Sequence, residues 1–214
     1  MRKTLPVPTL VLLAVSAHLN ASVLSFQGNF ATDDQVQLFS FNLAAPETVI
    51  IETFGYAGGT NGNGTAIPEG GFDPVVTLFD STGNFLNSND DGPCGKVGHD
   101  AITSNCFDSY LLQSLGAGSY QVALTENDNL AIGPTLADGF THVGDGNFTC
   151  PEFLGVSGGF CDASPSHRNN AFALDIVIPG PTSGVPEPNS ALLILPFTIA
   201  LLVARRYLIS REVR

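Results

Sequence analysis

Between residues 22 and 178, the apolar positions follow a period of two in short runs separated by Gly, Pro, Asn and Asp. In the run 119–125, Tyr120, Val122 and Leu124 fall on one face, and Gln121 and Ala123 fall on the other. Such alternation is typical of strands with one buried face. The pattern predicts seven strands: Val23–Phe30, Val36–Leu43, Thr48–Phe54, Val75–Phe79, Tyr110–Leu115, Ser119–Thr125 and Phe172–Ile178.

Short strands with frequent turns predict an all-β fold, a β-sandwich over residues 22–178 with an insertion at about 126–170. One run breaks the alternation, because Leu38 and Phe39 are both apolar. This predicts either a bulge or a strand buried on both faces.

The N-terminus has the pattern of a secretory signal peptide over residues 1–21. Arg2 and Lys3 precede a short apolar run, and small residues follow, with cleavage expected after Ala17 or Ala21. The apolar run is shorter than the roughly 20 residues that span a bilayer. We therefore expect an exported protein.

The C-terminus carries a second targeting signal. A Pro/Gly linker at 179–184 leads into a Pro-Glu-Pro motif, an aliphatic stretch and a basic cluster. The stretch predicts a single transmembrane helix at about 189–204, and the positive-inside rule places its basic end in the cytoplasm. The motif residues are Val185, Pro186, Glu187, Pro188, Arg205 and Arg206.

This tail, over residues 185–214, resembles the PEP-CTERM sorting signal of Gram-negative bacteria that make exopolysaccharide. The resemblance implies processing by an exosortase, an inner-membrane-anchored precursor, and delivery to the cell surface or extracellular matrix. Exopolysaccharide is a further partner that it implies. Whether the helix remains in the mature protein stays open.

The middle of the chain carries a second resemblance. The strand Asp73–Asp80, the turn 81–84, the Asn89–Gly92 loop and the glycine turn 115–120 resemble the bacterial pre-peptidase C-terminal domain. That resemblance implies a jelly-roll-like β-sandwich. Segments 56–60, 70–73 and 137–140 resemble an uncharacterised family of PEP-CTERM-anchored proteins, which implies an address and a fold but no activity.

Charge narrows the choice of partners. Residues 22–184 hold two basic residues, Lys96 and Arg168, against 18 acidic ones, a net charge of −16. Binding of nucleic acid requires clustered cations, so nucleic acid is excluded as a partner. The acidity suits a solvated surface or divalent cations.

The chain has four cysteines, and in an exported protein an even number predicts disulfides. Three connectivities are open, of which we favour the local pairs Cys94–Cys106 and Cys150–Cys161. The close spacing of a zinc site is missing.

Calcium is the one cofactor that the sequence raises. Asn87, Asn89 and Asp91 alternate and Gly92 follows, as in the first half of an EF-hand loop, but Gly98 stands where the bidentate Glu belongs. An EF-hand is therefore excluded, and two explanations remain: turn-forming residues, or a looser calcium site. Its candidate ligands are Asn87, Asn89, Asp90, Asp91, Asp73 and Asp108, with Asp128 as a further carboxylate.

We expect no catalytic residues. Ser157 lies in a Gly-x-Ser-x-Gly pattern, but the strand and helix that a nucleophile elbow needs are not predicted around it. The sequence thus favours a non-enzymatic envelope or matrix protein with a structural or adhesive role. The alternatives are a calcium-dependent carbohydrate-binding module and, third, a secreted serine hydrolase that uses Ser157.

Overall fold

The structure is a computed structural model that describes residues 21–164 and 166–180. The sorting tail and, apart from Ala21, the predicted signal peptide lie outside these residues. In the described part, no helix has the length and hydropathy of a membrane span. The strands are β1 Ser22–Asn29, β2 Gln37–Leu43, β3 Glu47–Thr53, β4 Gly59–Thr60, β5 Ala66–Ile67, β6 Pro74–Asp80, β7 Phe85–Asn89, β8 Tyr110–Leu115, β9 Gly118–Glu126, β10 Cys161–Asp162, β11 Ser166–His167 and β12 Ala171–Ile178; the helices are α1 Thr149–Leu154 and a 3-10 turn at Leu136–Asp138.

Two four-stranded antiparallel sheets pack face to face. One has the order β1-β12-β3-β8 and the other the order β2-β9-β6-β7. Their facing side chains form one core, whose fully buried members include Val49, Ile51, Val122, Leu124 and Leu174. The predicted all-β sandwich is confirmed, and each of the seven predicted strands ends within one residue of the observed one.

The alternation in β9 separates two cores. Val122 and Leu124 face the other sheet, while Ala123 packs on the reverse face with Phe79 and Phe140. Phe140 belongs to the insertion 126–170, which therefore covers the outer face of the second sheet. Burial on both faces removes most of β6 and the second half of β9 from solvent.

Two features of the strands differ from the prediction. β2 pairs with β9 without a bulge, and Leu38 lies on the outer face with 42% of its surface exposed. The prediction at Leu38 was wrong because a single exposed Leu does not mark a buried face. β7 was missed because it is a short edge strand whose two apolar residues, Phe85 and Leu86, are adjacent and do not alternate with polar ones. The register irregularity falls at its pairing with β6, between Leu78 and Phe79.

The long loop after β3 folds back over the outer face of the first sheet. Its hairpin β4–β5 places the Gly62 N–H against Asp175 Oδ2 at 2.5 Å. A Cβ on Gly62 would lie 2.3 Å from the Val23 side chain, so this close approach requires glycine.

The insertion is attached through one buried carboxylate, that of Asp33. Asp33 accepts hydrogen bonds from the N–H groups of Phe148 and Thr149, both at 2.9 Å, and from Thr149 Oγ1 at 2.5 Å. A carboxylate at the first turn of α1 satisfies amides that the helix itself cannot pair. The contact holds the insertion against the start of the sandwich.

The cysteines form the local pairs that we favoured, Cys94–Cys106 and Cys150–Cys161. The first pair closes a loop with little apolar material, and the second closes a loop whose Phe160 packs in the main core. Cys150 and Cys161 are buried, and the second bond joins α1 to β10.

We expect replacement of both Cys150 and Cys161 by Ser to lower the free energy of unfolding by about 3 kcal/mol, because the unfolded chain regains the entropy of an open loop. Denaturant unfolding of the full chain measures the change. Under reducing conditions the free energy of unfolding of the wild type should fall towards that of the variant. An unchanged midpoint under oxidising conditions would contradict the stabilising role.

Candidate metal centre

A buried arginine organises one end of the sandwich. Arg168 follows β11, and its side chain is 2% exposed. It lies 3.2 Å from Asp100 Oδ1 and 3.4 Å from Asp162 Oδ2, and its guanidinium stacks 3.5 Å from the centroid of the Tyr56 ring. It also donates to the carbonyl of Gly71 at 3.1 Å. These contacts neutralise Asp100 and Asp162, which are therefore structural.

The carboxylate of Asp108, one of the predicted calcium ligands, is also hydrogen-bonded within the protein. It accepts hydrogen bonds from Thr53 Oγ1 at 2.9 Å, from the Tyr56 N–H at 3.1 Å and from the Ala57 N–H at 2.8 Å. Burial raises the pKa of its carboxyl, and the hydrogen bonds oppose that shift. Both oxygens hold the loop that follows β3.

The predicted asparagines have structural partners as well. Asn87 donates to Gln113 Oε1 at 2.9 Å, and Asn89 Oδ1 accepts the Tyr110 N–H at 2.6 Å. Because β7 and β8 belong to different sheets, these bonds join the two sheets at one side of the sandwich. Asn87 and Asn89 are thus hydrogen-bonded to residues of β8.

Three of the predicted ligands do come together. Asp73, Asp90 and Asp91 each place a carboxylate oxygen within 4.8 Å of the other two. Asp73 precedes β6, and Asp90 and Asp91 follow β7. Since β6 and β7 are antiparallel neighbours, the start of β6 and the end of β7 lie at the same end of the sheet. We call this group the carboxylate cluster.

In the carboxylate cluster, burial and mutual repulsion disfavour the charged forms of the three side chains. Burial, followed by the charges of Asp90 and Asp91, raises the pKa of Asp73 well above its ordinary range. Desolvation of the carboxyl, then the charges of Asp91 and Asp128, raises the pKa of Asp90 to about 6. Desolvation also raises the pKa of Asp91. A cation bound between these oxygens would relieve the repulsion.

Glu126 adds a fourth carboxylate behind the cluster. It ends β9 opposite Pro74, and its side chain is fully buried. Burial and then the charge of Asp73 raise the pKa of Glu126 well above its ordinary range. Among the described residues, neither oxygen of Glu126 nor Oδ1 of Asp73 has a hydrogen-bond partner. Buried polar atoms normally have one, so these oxygens point to a proton or a cation.

Sequence reasoning missed Glu126, although a signal was present. Glu126 continues the row of Tyr120, Val122 and Leu124, which face the core. An acidic residue at the next core-facing position of an alternating strand is unusual enough to note.

Hard oxygen ligands from several carboxylates suit calcium, which accepts flexible geometry and many oxygens. Asp73, Asp90 and Asp91 would hold the ion, and Asp73 would link it to Glu126. Asp90 and Asp91 are exposed, so an ion could enter from solvent. The chemistry of the donor set therefore fits calcium.

Two other groups combine cysteine with histidine. His99 Nδ1 lies 3.3 Å from Cys106 Sγ, and His167 Nδ1 lies 3.3 Å from Cys161 Sγ. The sulfurs are in disulfides, and a metal ligand must be a thiolate. In the oxidised chain these groups are disulfide loops with a histidine beside them.

The surroundings of Ser157 differ from a nucleophile elbow. A helix, α1, precedes it, and its nearby residues are engaged elsewhere. His167 contacts Cys161, and Asp162 accepts the Tyr56 hydroxyl at 2.8 Å.

No family model matches the chain, and no curated protein matches it. Among solved structures, it is similar to the pre-peptidase C-terminal domain of collagenase from Bacillus anthracis. The identity is 9%, the match covers 72% of this chain and 85% of that chain, and the TM-score is 0.33. The fold class therefore rests on the two sheets of this chain.

The raised pKa of Asp90 predicts a pH dependence. Because its folded pKa, about 6, exceeds its ordinary value of 3.8, protonation stabilises the folded state, and this contribution is lost as the pH rises through about 6. In chelator, we expect the melting temperature of Asp90→Asn to fall less than that of the wild type from about pH 4 to pH 7. Thermal melts measure both, and Glu152→Gln, an exposed acid outside the cluster, should behave as wild type. Parallel profiles for Asp90→Asn and the wild type would refute the assignment.

Proposed function

We propose that this chain is an exported, non-catalytic β-sandwich module of the cell envelope or extracellular matrix, with a structural or adhesive role. The observation that supports it best is how its buried polar groups are used. Arg168, Asp33 and Asp108 attach loops to the sheets, and two disulfides each close a local loop. Such groups provide rigidity and no reacting atom.

The second part of this proposal concerns where the protein is targeted. The PEP-CTERM-like tail, with Pro186, Glu187, Pro188 and Arg205-Arg206, supports an exosortase as processing partner and an inner-membrane-anchored precursor. The disulfides agree with an oxidising compartment outside the cytoplasm. The mature module then reaches the cell surface or the exopolysaccharide matrix.

Deletion of residues 185–214 should release the protein into the medium, because the stretch that holds it in the membrane is gone. Immunoblotting of cell and medium fractions measures the distribution. Replacement of Glu187 by Gln in the full chain should leave the precursor in the membrane fraction, since the helix remains. If the deletion leaves localisation unchanged, the anchoring proposal fails.

A second candidate is a calcium-dependent carbohydrate-binding module. The carboxylate cluster favours it, because Asp73, Asp90 and Asp91 converge from two strands and have no basic side chain among them. An ion there would tie the start of β6 to the loop after β7. It would also lower the cost of the buried oxygens of Asp73 and Glu126.

Calcium should raise the melting temperature of the full chain. Binding to the folded state at a hundredfold excess over Kd is worth about 2.7 kcal/mol, which corresponds to roughly 5–10 °C for a domain of this size. Asp90→Asn/Asp91→Asn should lose the shift, and Glu152→Gln should keep it. Thermal melts with calcium, with magnesium and with chelator measure the effect, and an unshifted wild type would eliminate the ion.

A further inference from the structure

A groove of about 560 Å³ lies beside β1 and β12, on the side that the long loop covers. Gln27 and Asn29 contribute to it from β1, and Asn169 and Asn170 from the segment before β12. Ile67 and Pro68 supply its apolar walls. Its volume is in the range of small-molecule and glycan sites.

The groove is lined by carboxamides. Gln27 and Asn29 are two residues apart on one strand, so they lie on the same face, and both are exposed. Asn169 Oδ1 accepts the Ala171 N–H, which leaves its Nδ2 group to donate. Asn170 Nδ2 donates to the Phe30 carbonyl, which leaves its oxygen to accept. Donors and acceptors therefore stand side by side, the arrangement that a hydroxyl group can use in both directions.

The floor of the groove is held in place by the backbone. The Asn169 N–H donates to the Gly70 carbonyl at 2.8 Å, and the Phe30 N–H donates to the Asn170 carbonyl at 2.9 Å. The adjacent Arg168 donates to Gly71 at 3.1 Å. A ligand would therefore order few groups on binding, which favours affinity.

The strands under the groove are fixed from the core side by Phe172. Phe172 packs edge-on against Phe30 with ring centroids 5.5 Å apart. A Cβ on Gly28 would lie 2.8 Å from the Phe172 ring, so the glycine leaves the ring room in this position. The side chains of Ile67 and Pro68 on the loop side supply the apolar surface that suits the C–H faces of a sugar.

Charge selects among hydroxyl-rich ligands. None of the residues that line the groove is charged, although residues 22–184 carry a net charge of −16. The surrounding field disfavours an anionic polymer, and the lining offers no cation to pair with one. Neutral carboxamides beside apolar walls fit a neutral polymer of hydroxyl groups.

We propose that this groove binds a segment of a neutral polysaccharide through the side-chain amides of Gln27, Asn29, Asn169 and Asn170. The inference rests on the second candidate function and adds the ligand class and its location. The groove is distinct from the carboxylate cluster, but the segment 70–73 joins them, because Gly71 pairs with Asn169 and Asp73 belongs to the cluster.

Affinity electrophoresis tests the proposal on the full chain in a detergent without a sugar head group. Native gels contain dextran, laminarin or galactomannan as neutral polymers and alginate as an anionic one, all with calcium. We expect retardation by at least one neutral polymer and not by alginate. Asn29→Ala/Asn169→Ala should weaken it about tenfold, the effect of losing one or two net hydrogen bonds.

Three variants separate the groove from folding and from the ion. Asn63→Ala removes an exposed carboxamide of the same loop outside the groove and should bind as wild type. Gln27→Ala removes an exposed side chain and should weaken binding without a change in melting temperature. Asp90→Asn/Asp91→Asn reports on the ion through its melting curve, so loss of the calcium shift with retained retardation leaves the groove proposal standing.

No retardation by any neutral polymer would overturn the proposal, as would equal losses in Asn63→Ala and Asn29→Ala/Asn169→Ala. Retardation by denatured casein in place of the glycans would assign the groove to polypeptides and also overturn it.

Discussion

The guanidinium of Arg168 is the contact on which the loop-rich end of the sandwich depends. It joins Asp100, from the Cys94–Cys106 loop, to Asp162 of β10 and to the carbonyl of Gly71 in the long loop. Its planar fork reaches several acceptors while one face stacks on Tyr56. Without this cation, two buried carboxylates would lose their counter-ion, and three segments would lose a common anchor.

The buried carboxylates consequently divide into two groups. Asp33 and Asp108 receive hydrogen bonds from backbone amides, and Asp162 faces Arg168. Asp73 and Glu126 have orientations that leave oxygens without a partner among the described residues. The first group holds loops to the sheets, and a proton or a cation would stabilise the second. This imbalance is the observation that supports the proposed calcium site.

One segment of the chain connects the two candidate sites. The segment Gly70–Asp73 pairs with Asn169 at one end and supplies Asp73 to the carboxylate cluster at the other. Phe72, between them, is buried in the main core and packs on Phe30 and Phe160. An ion at the cluster would therefore fix the segment on which the groove depends. In the proposed module, a bound calcium ion would help to position the groove without contact with the glycan.

The sequence by itself determined the features that depend on neighbours in the chain. Period-two alternation located seven strands, and the short separation of the cysteines favoured the disulfides that are present. Tertiary structure decided the rest, because antiparallel pairing brings Asp73 to Asp90, places Glu126 behind them, and gives Asn87 and Asn89 partners on β8. The groove also joins residues more than a hundred positions apart, Asn29 and Asn169. No local pattern reports such contacts, since register and loop docking are set by burial across the whole sandwich. The sorting tail stays a prediction.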